Sequence, residues 1–349
     1  MNGRRVTVTK QTFLNQRFES VQSLRGIAAL FVLAQHICFI GRGAFGVDLF
    51  FLISGFIMMY TTEKETEHFL LKRLIRIIPL YYLMTIISYI TLLIFPQLFE
   101  QTTASPVYLI KSLLFIPFSM GGVTQPLLRV GWTVNYEMLF YLLFFAAMKI
   151  SKRYRALICS GMLGLLVLIG QWVPVGMEPF SFWTDSILLE FAAGMALFYA
   201  FRFWSTREEY HTEDDLLPEA SVMLLLVCAV LFACEWCSYD SSFLCSLPQA
   251  VRWGIPSTLI LWLMLVAGIR VKMPKFLVRL GDMSFSIYLI HYYPMRLLNK
   301  LLNNTKQPDL RAILITCAAV LITLAVSWLC YRLIEKKLTV WLKEKLIGQ

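Results

Sequence analysis

The sequence predicts an all-α, polytopic membrane protein of about ten transmembrane helices around an intramembrane cavity, and three observations lead there. Hydrophobic residues fill 58% of the 349 positions and charged residues only 15%, against roughly half and a quarter in soluble domains. The mean hydropathy is +0.65. Apolar windows of about 20 residues, the length that crosses a bilayer, recur along the chain. Several of these windows contain ionisable groups, which are costly at membrane depth and persist where they face a protein interior and bind something.

The windows centre on 24–40, 44–60, 74–95, 131–148, 156–173, 184–201, 220–236, 251–269, 283–301 and 311–331. Arg25, His36, Asp48 and Glu137 make the first, second and fourth the least apolar. The segment 106–119 is apolar but too short to span, so it reads as an interfacial or re-entrant piece. Three regions follow: a polar segment 1–23, a membrane domain 24–332 and a tail 333–349. Residues 1–23 lack the apolar core and cleavage site of a signal peptide, so the first helix is expected to be retained.

The formal charge of +10 does not mark a nucleic-acid binder, because the 32 Lys and Arg residues fall in short clusters between apolar runs and not along one basic face. The richest clusters are Arg4, Arg5, Lys10 and Arg17; Lys64, Lys72, Arg73 and Arg76; Lys149, Lys152, Arg153 and Arg155; Arg202 and Arg207; Arg270, Lys272, Lys275 and Arg279; and Arg332, Lys336, Lys337, Lys343 and Lys345. Cytoplasmic loops carry such excesses, so both termini are expected in the cytoplasm. The opposite face holds the sparser Arg42, Lys111, Arg129, Arg252, Arg296, Lys300, Lys306 and Arg311.

No metal site is expected from the eight cysteines. Cys38, Cys159, Cys228, Cys317 and Cys330 lie scattered in apolar helices, where a small buried hydrophobe is the default. Cys234, Cys237 and Cys245 lie near one outer loop, which leaves a Cys237–Cys245 disulfide open.

Candidate chemistry starts with Arg25 and His36. Eleven helical steps separate them by about 16 Å, which puts Arg25 near the cytoplasmic surface and His36 deep in the first helix. A neutral imidazole at that depth can take a proton from a hydroxyl and return it. Arg73 and Arg76, three residues apart, project from one side of a helix entering from the cytoplasm. Two guanidinium forks there suit phosphate or pyrophosphate, with Tyr81 and Tyr82 deeper along the path of a narrower tail. Glu137 and Asp48 are expected in the outer halves of their helices as proton carriers or hydroxyl binders, and His291 is a second deep imidazole. Trp132, Tyr136, Tyr292 and Tyr293 offer rings on which a sugar can stack, although interfacial belts use the same residues.

Taken in order, SLRGIAALFVLAQH, GVDLFFLISGF, KRLIRIIPLYY, WTVNYEMLFY and SFSIYLIH resemble the motifs of the membrane-bound acyltransferase family 3, most closely its stand-alone members that acylate exopolysaccharide or O-antigen sugars in bacteria. The resemblance implies that 24–332 is an acyltransferase domain in the bacterial inner membrane. It implies a catalytic role for His36, donor handling by Arg25, Arg73 and Arg76, and support of the acceptor side by Glu137. It implies acetyl-coenzyme A as the donor substrate, with no permanently bound cofactor, and a polysaccharide or lipid-linked sugar as the acceptor. Asp48, Trp132, Tyr136 and His291 are then expected on the acceptor, and polysaccharide-synthesis machinery is an expected partner. Many relatives end in a Glu-x-Pro element where this chain has Glu335-Lys336-Lys337, and the outer esterase-like domain that some add is not expected in the residues after Tyr331. The competing class is a proton-coupled transporter or exporter of a small anion or glycolipid, which discontinuous helices in two matching halves would support.

Overall fold

The computed structural model describes residues 6–7, 17–96, 103–120, 122–174, 176–206, 209–210 and 247–348. The helices run α1 (Glu19–Gln35), α2 (Gly46–Lys64), α3 (Phe69–Ile94), α4 (Pro106–Leu113), α5 (Trp132–Ile150), α6 (Arg155–Gly170) and α7 (Phe180–Trp183). They continue with α8 (Leu188–Ser205), α9 (Ile255–Arg270), α10 (Lys275–Asp282), α11 (Ser284–Ile290), α12 (Tyr292–Leu301), α13 (Leu310–Cys330) and α14 (Thr339–Ile347). A 3₁₀ turn, Arg129–Gly131, leads into α5, and π-helical turns at Ala250–Gly254 and Tyr331–Leu338 lead into α9 and join α13 to α14. Strands among the described residues are only two residues long: Val6–Thr7 pairs with Glu209–Tyr210, and Ser119–Met120 with Val123–Thr124.

Six helical segments among the described residues are long and apolar enough to cross a bilayer: Gly46–Lys64, Phe69–Ile94, Arg129–Ile150, Phe180–Ser205, Ala250–Ile269 and Leu310–Ile347. The other four of the ten expected windows are not among these six: one lies outside the described residues, and the other three differ for local reasons. The window 220–236 lies outside the described residues, as do Cys228, Cys234, Cys237, Cys245, Arg4, Arg5, Lys10 and Arg207. Helix α6, with 16 residues, spans about 24 Å, short of the roughly 30 Å of hydrocarbon. Helix α1 stops at Gln35, so His36 lies in the turn that closes the helix and not deep within it. There the backbone tightens to three-residue bonds, His36 N–H to the Leu33 carbonyl (3.0 Å) and Ile37 N–H to the Ala34 carbonyl (3.1 Å). The window 283–301 is split at His291 into α11 and α12. Pro294 explains the split, because it cannot donate to the Ile290 carbonyl four residues back and its ring crowds that oxygen.

The chain forms two units. The first comprises Met1–Val32, Arg42–Thr66 and Ser186–Ser284. Its centre is the pair α2 and α8, where a Cβ on Gly55 would strike the Phe191 carbonyl and one on Gly194 the Leu52 carbonyl. Small residues allow this backbone approach, which is how helices pack where no hydrophobic effect drives them together. Phe18 closes the unit edge-on against Phe56, Tyr60 and Phe201.

The second unit comprises Leu33–Gly41, Glu67–Asp185 and Phe285–Gln349. Helices α3 and α5 run antiparallel: Phe69 meets Tyr141 and Phe144, while Tyr81 meets Gly131. The short α4 is tied to α3 by two hydroxyls, Tyr81 donating to the Ser112 carbonyl (3.0 Å) and Tyr82 to the Leu113 carbonyl (2.9 Å). Ser112 in turn receives the Leu127 N–H (3.0 Å), so the segment after α4 folds back toward α5. Tyr81 and Tyr82 thus fasten the backbone at the end of α4 to α3. Helix α13 turns an apolar face outward, with Leu314, Leu321, Ile322 and Leu329 exposed, as a lipid-facing helix does.

Candidate active site

The second unit brings together His36, Arg73, Arg76, Trp132, Tyr136, Glu137 and His291. His36 Nδ1 and His291 Nε2 stand 3.3 Å apart with the rings edge to face, 4.9 Å between centroids. His291 is fully buried, and its Nδ1 lies 3.1 Å from the Ile287 carbonyl oxygen. A carbonyl only accepts, so Nδ1 of His291 carries the proton and its Nε2, in the neutral ring, presents a lone pair. His36 must then donate from Nδ1, which leaves the lone pair of His36 on Nε2. The pair therefore fixes His36 as the tautomer that acts as a base through Nε2.

The main chain beside His36 is held as firmly as its ring. Asn299, on the second turn of α12 beyond His291, donates from Nδ2 to the His36 carbonyl (2.7 Å) and accepts the Cys38 N–H at Oδ1 (2.9 Å). Lys306 donates to the Cys38 carbonyl (2.8 Å). These bonds satisfy groups that the end of a helix leaves open. Beside this turn lies a cavity of about 290 Å³, lined by His36, Arg129, Tyr292, Arg296, Asn299 and Lys306 among others.

One helical turn before His291, the Tyr288 hydroxyl donates to the Val130 carbonyl (3.1 Å) and accepts from Thr133 (2.9 Å), binding α11 to the start of α5. Glu335, in the π-helical turn, accepts from both the backbone N–H and the hydroxyl of Ser286 and so seats the first turn of α11. Glu137 accepts a short hydrogen bond from Tyr141 and lies within electrostatic reach of Arg73 and Tyr288. Arg73 also lies over the Phe69 ring at 5.8 Å and close to Arg76. Glu137, in the first third of α5 as its sequence position suggested, therefore also stands within reach of Arg73. The antiparallel register explains this, because α5 starts at Gly131 beside Tyr81, partway along α3.

Tyr136 is buried with one ring face stacked on Phe182 at 4.0 Å, and Trp132 meets the edge of Tyr136 at 5.9 Å, so the Tyr136 face is given to protein packing. Tyr292 instead borders the cavity, its ring 5.7 Å from that of His36.

Arg25 and Asp48 belong to the first unit. Arg25 donates to Gln22 (3.0 Å), which donates to Asp282 (2.8 Å), itself paired with Arg17 (2.6 Å). Asp48 is fully buried, accepts from Gln249 (3.0 Å) and lies close to Glu190 and Arg252. Asn299, Tyr288, Thr133, Tyr141, Glu190 and the three cavity cations were not singled out from the sequence. Tyr288, His291 and Asn299 share a helical spacing that signalled one face, and Glu190 is a carboxylate in an apolar run of the same kind as Glu137. Cys38, Cys159, Cys317 and Cys330 are free thiols.

Comparisons with known proteins identify the family. The family model described as an acyltransferase domain, Acyl_transf_3, matches residues 18–332. The exopolysaccharide production protein ExoZ of Rhizobium meliloti is 30% identical over 270 residues, 74% of this chain and 78% of ExoZ. The peptidoglycan O-acetyltransferase OatA of Listeria monocytogenes is 25% identical, with 90% of this chain covering 55% of OatA, so the chain spans about half the length of that relative. The acyltransferase MdmB of Streptomyces mycarofaciens is 24% identical over 80% of this chain and 79% of its own length. No solved structure is significantly similar. With nearly its whole length matched, the chain belongs to the acyltransferase family 3 of membrane proteins and is an acyltransferase.

Proposed function

We propose that the protein is an integral O-acyltransferase that moves an acyl group, acetyl in the simplest case, from acyl-coenzyme A on the cytoplasmic side to a hydroxyl of a polysaccharide or lipid-linked glycan beyond it. The observation that carries this reading is the His36–His291 pair, 3.3 Å apart, with His291 anchored on the Ile287 carbonyl. His36 Nε2 takes the proton of the acceptor hydroxyl while its oxygen attacks the thioester carbonyl. A new C–O bond forms, the C–S bond breaks, and the proton held by His36 passes to the departing thiolate, so coenzyme A leaves as the thiol. No other reactant is needed.

Arg73 and Arg76 are assigned to the phosphates of coenzyme A, which suit two guanidinium forks. Glu137 and Tyr141, bonded to each other, lie within electrostatic reach of Arg73. The clamp and the cavity are displaced along α3: Arg73 precedes Tyr81, at the level of the Arg129–Gly131 turn, by eight residues, or about 12 Å of helix. A donor and an acceptor entering from opposite ends and meeting at His36 fit that spacing. The excess of Lys and Arg near Arg73 supports a cytoplasmic position for that end and for both termini. A membrane location is supported by the six helical segments long and apolar enough to cross a bilayer, and a polysaccharide acceptor by the names of ExoZ and OatA. A transporter lacks comparable support, since the relatives that are named for a reaction are acyltransferases.

The test supplies purified protein in detergent with acetyl-coenzyme A carrying a labelled acetyl group and with bacterial exopolysaccharide. Label should pass to alkali-labile esters on the glycan with stoichiometric release of coenzyme A. Glycan without label while coenzyme A stays acylated would refute the reading.

A further inference from the structure

Three cations from three separate elements line the cavity beside His36: Arg129 from the turn before α5, Arg296 from α12, and Lys306 from the loop after it. No carboxylate among the described residues lines that cavity. Arg296 reaches the Tyr292 hydroxyl (3.4 Å) and Lys306 the Cys38 carbonyl (2.8 Å). Like charges gathered in a cleft raise a local potential that attracts an anion. The guanidinium fork matches carboxylate and phosphate oxygens in particular.

We propose that the cavity is an oxyanion site for the acceptor, so that the glycan acylated here carries a carboxylate or phosphate group close to its reacting hydroxyl. This rests on the acyltransferase reading above and names the substrate class of that site. The donor has its own cations, Arg73 and Arg76, which precede Tyr81 by eight and five residues, about 12 and 7.5 Å along α3. Position also favours the acceptor. Lys306 and Asn299 grip the Cys38 and His36 main chain, so an anion bound to Lys306 is registered against the turn that presents His36. Tyr292 borders both the cavity and the His36 ring, giving a sugar an apolar face between the anion and the base. Two sources share this chemistry: a uronate or acidic substituent on the glycan itself, and the diphosphate that links a growing glycan to its lipid carrier.

The test is calorimetry on the intact protein in nanodiscs with four probes: a neutral oligosaccharide, the same oligosaccharide bearing one glucuronate, a short-chain prenyl-diphosphate sugar, and coenzyme A. At least one anionic glycan should bind about tenfold or more tightly than the neutral one, a difference of about 1.4 kcal/mol. That advantage should vanish in the Arg129→Gln/Arg296→Gln double variant, persist in the Arg129→Lys/Arg296→Lys variant, and shrink as salt is raised. Preference for the glucuronate probe puts the charge on the glycan and preference for the diphosphate probe puts it on the carrier; both support the site. Equal affinity for all three glycans overturns the proposal, as does an advantage that survives the Gln substitutions. Loss of coenzyme A binding in the Gln variant would assign the cations to the donor and overturn it as well. Efficient acetylation of the neutral glycan without any anionic preference would remove this inference and keep the acyltransferase reading, whereas anionic binding without transfer of label would do the reverse.

Discussion

His36 is defined by its neighbours more than by its own chemistry: His291 sets its tautomer, Asn299 holds its carbonyl, and Tyr292 borders its ring. His291→Phe keeps a ring of similar size and removes the acceptor for the His36 proton. Turnover should fall about tenfold or more, close to 1.4 kcal/mol of barrier, while coenzyme A affinity stays unchanged. Unaltered turnover in a folded variant would reduce His291 to packing. Asn299→Ala strands the His36 carbonyl and the Cys38 N–H at once, which should cost about 1–3 kcal/mol in stability and lower turnover further. Thermal melting and steady-state rates on the same preparation check both effects. The two histidines were legible because an imidazole in an apolar run has few structural reasons to be there. Asn299 was not, since an asparagine near a helix end usually serves its own backbone and not a turn 263 residues away. Glu190 carried the same signal as Glu137, a carboxylate in an apolar run, and was passed over.

Among the helices, length and hydropathy were read well and interruptions poorly. Five expected windows coincide with segments that can span, 44–60, 74–95, 131–148, 184–201 and 251–269, and the last window forms the start of a longer helical run to Ile347. The breaks at His36 and His291 were missed because hydropathy averages over about 20 residues and ignores a single backbone donor. Pro294 was the available sign, one turn after Ile290. The segment 106–119, read as too short to span, is the eight-residue α4 with its following loop, tied back to α3. Replacing both Tyr81 and Tyr82 by Phe should detach that tie and lower stability by about 1 kcal/mol per hydroxyl, measured as a shift in thermal unfolding; no shift would mean that water satisfies those carbonyls equally well. On the same helix, Arg73→Gln with Arg76→Gln should weaken coenzyme A binding before it changes the affinity for glycan, and Lys at either position should rescue only part, because Lys lacks the bidentate fork. Calorimetry with coenzyme A decides it, and undiminished affinity would leave the pair an ordinary basic collar.

At the scale of the whole molecule, the account depends on the two ends of α3 facing different compartments. Charge distribution alone suggested that orientation, and a sequence contains no membrane against which to check it. The register between α3 and α5 was equally hidden: only the meeting of Tyr81 with Gly131 reveals that Glu137 belongs with Arg73. In an otherwise cysteine-free protein, Glu67→Cys should react with an impermeant thiol reagent only from the cytoplasmic side and Val123→Cys only from the other, both positions being exposed. Labelling of both from one face would contradict the orientation. The central claim, transfer through His36 from a donor on one side to an acceptor on the other, is tested most directly in sealed proteoliposomes of one orientation. Labelled acetyl-coenzyme A is confined to the side of Glu67 and an impermeant anionic oligosaccharide to the side of Val123. The account predicts labelled glycan with the wild-type protein and a loss of about 100-fold or more with His36→Ala at undiminished coenzyme A binding; label transferred only when both substrates share one compartment, or transferred equally well by His36→Ala, would contradict it.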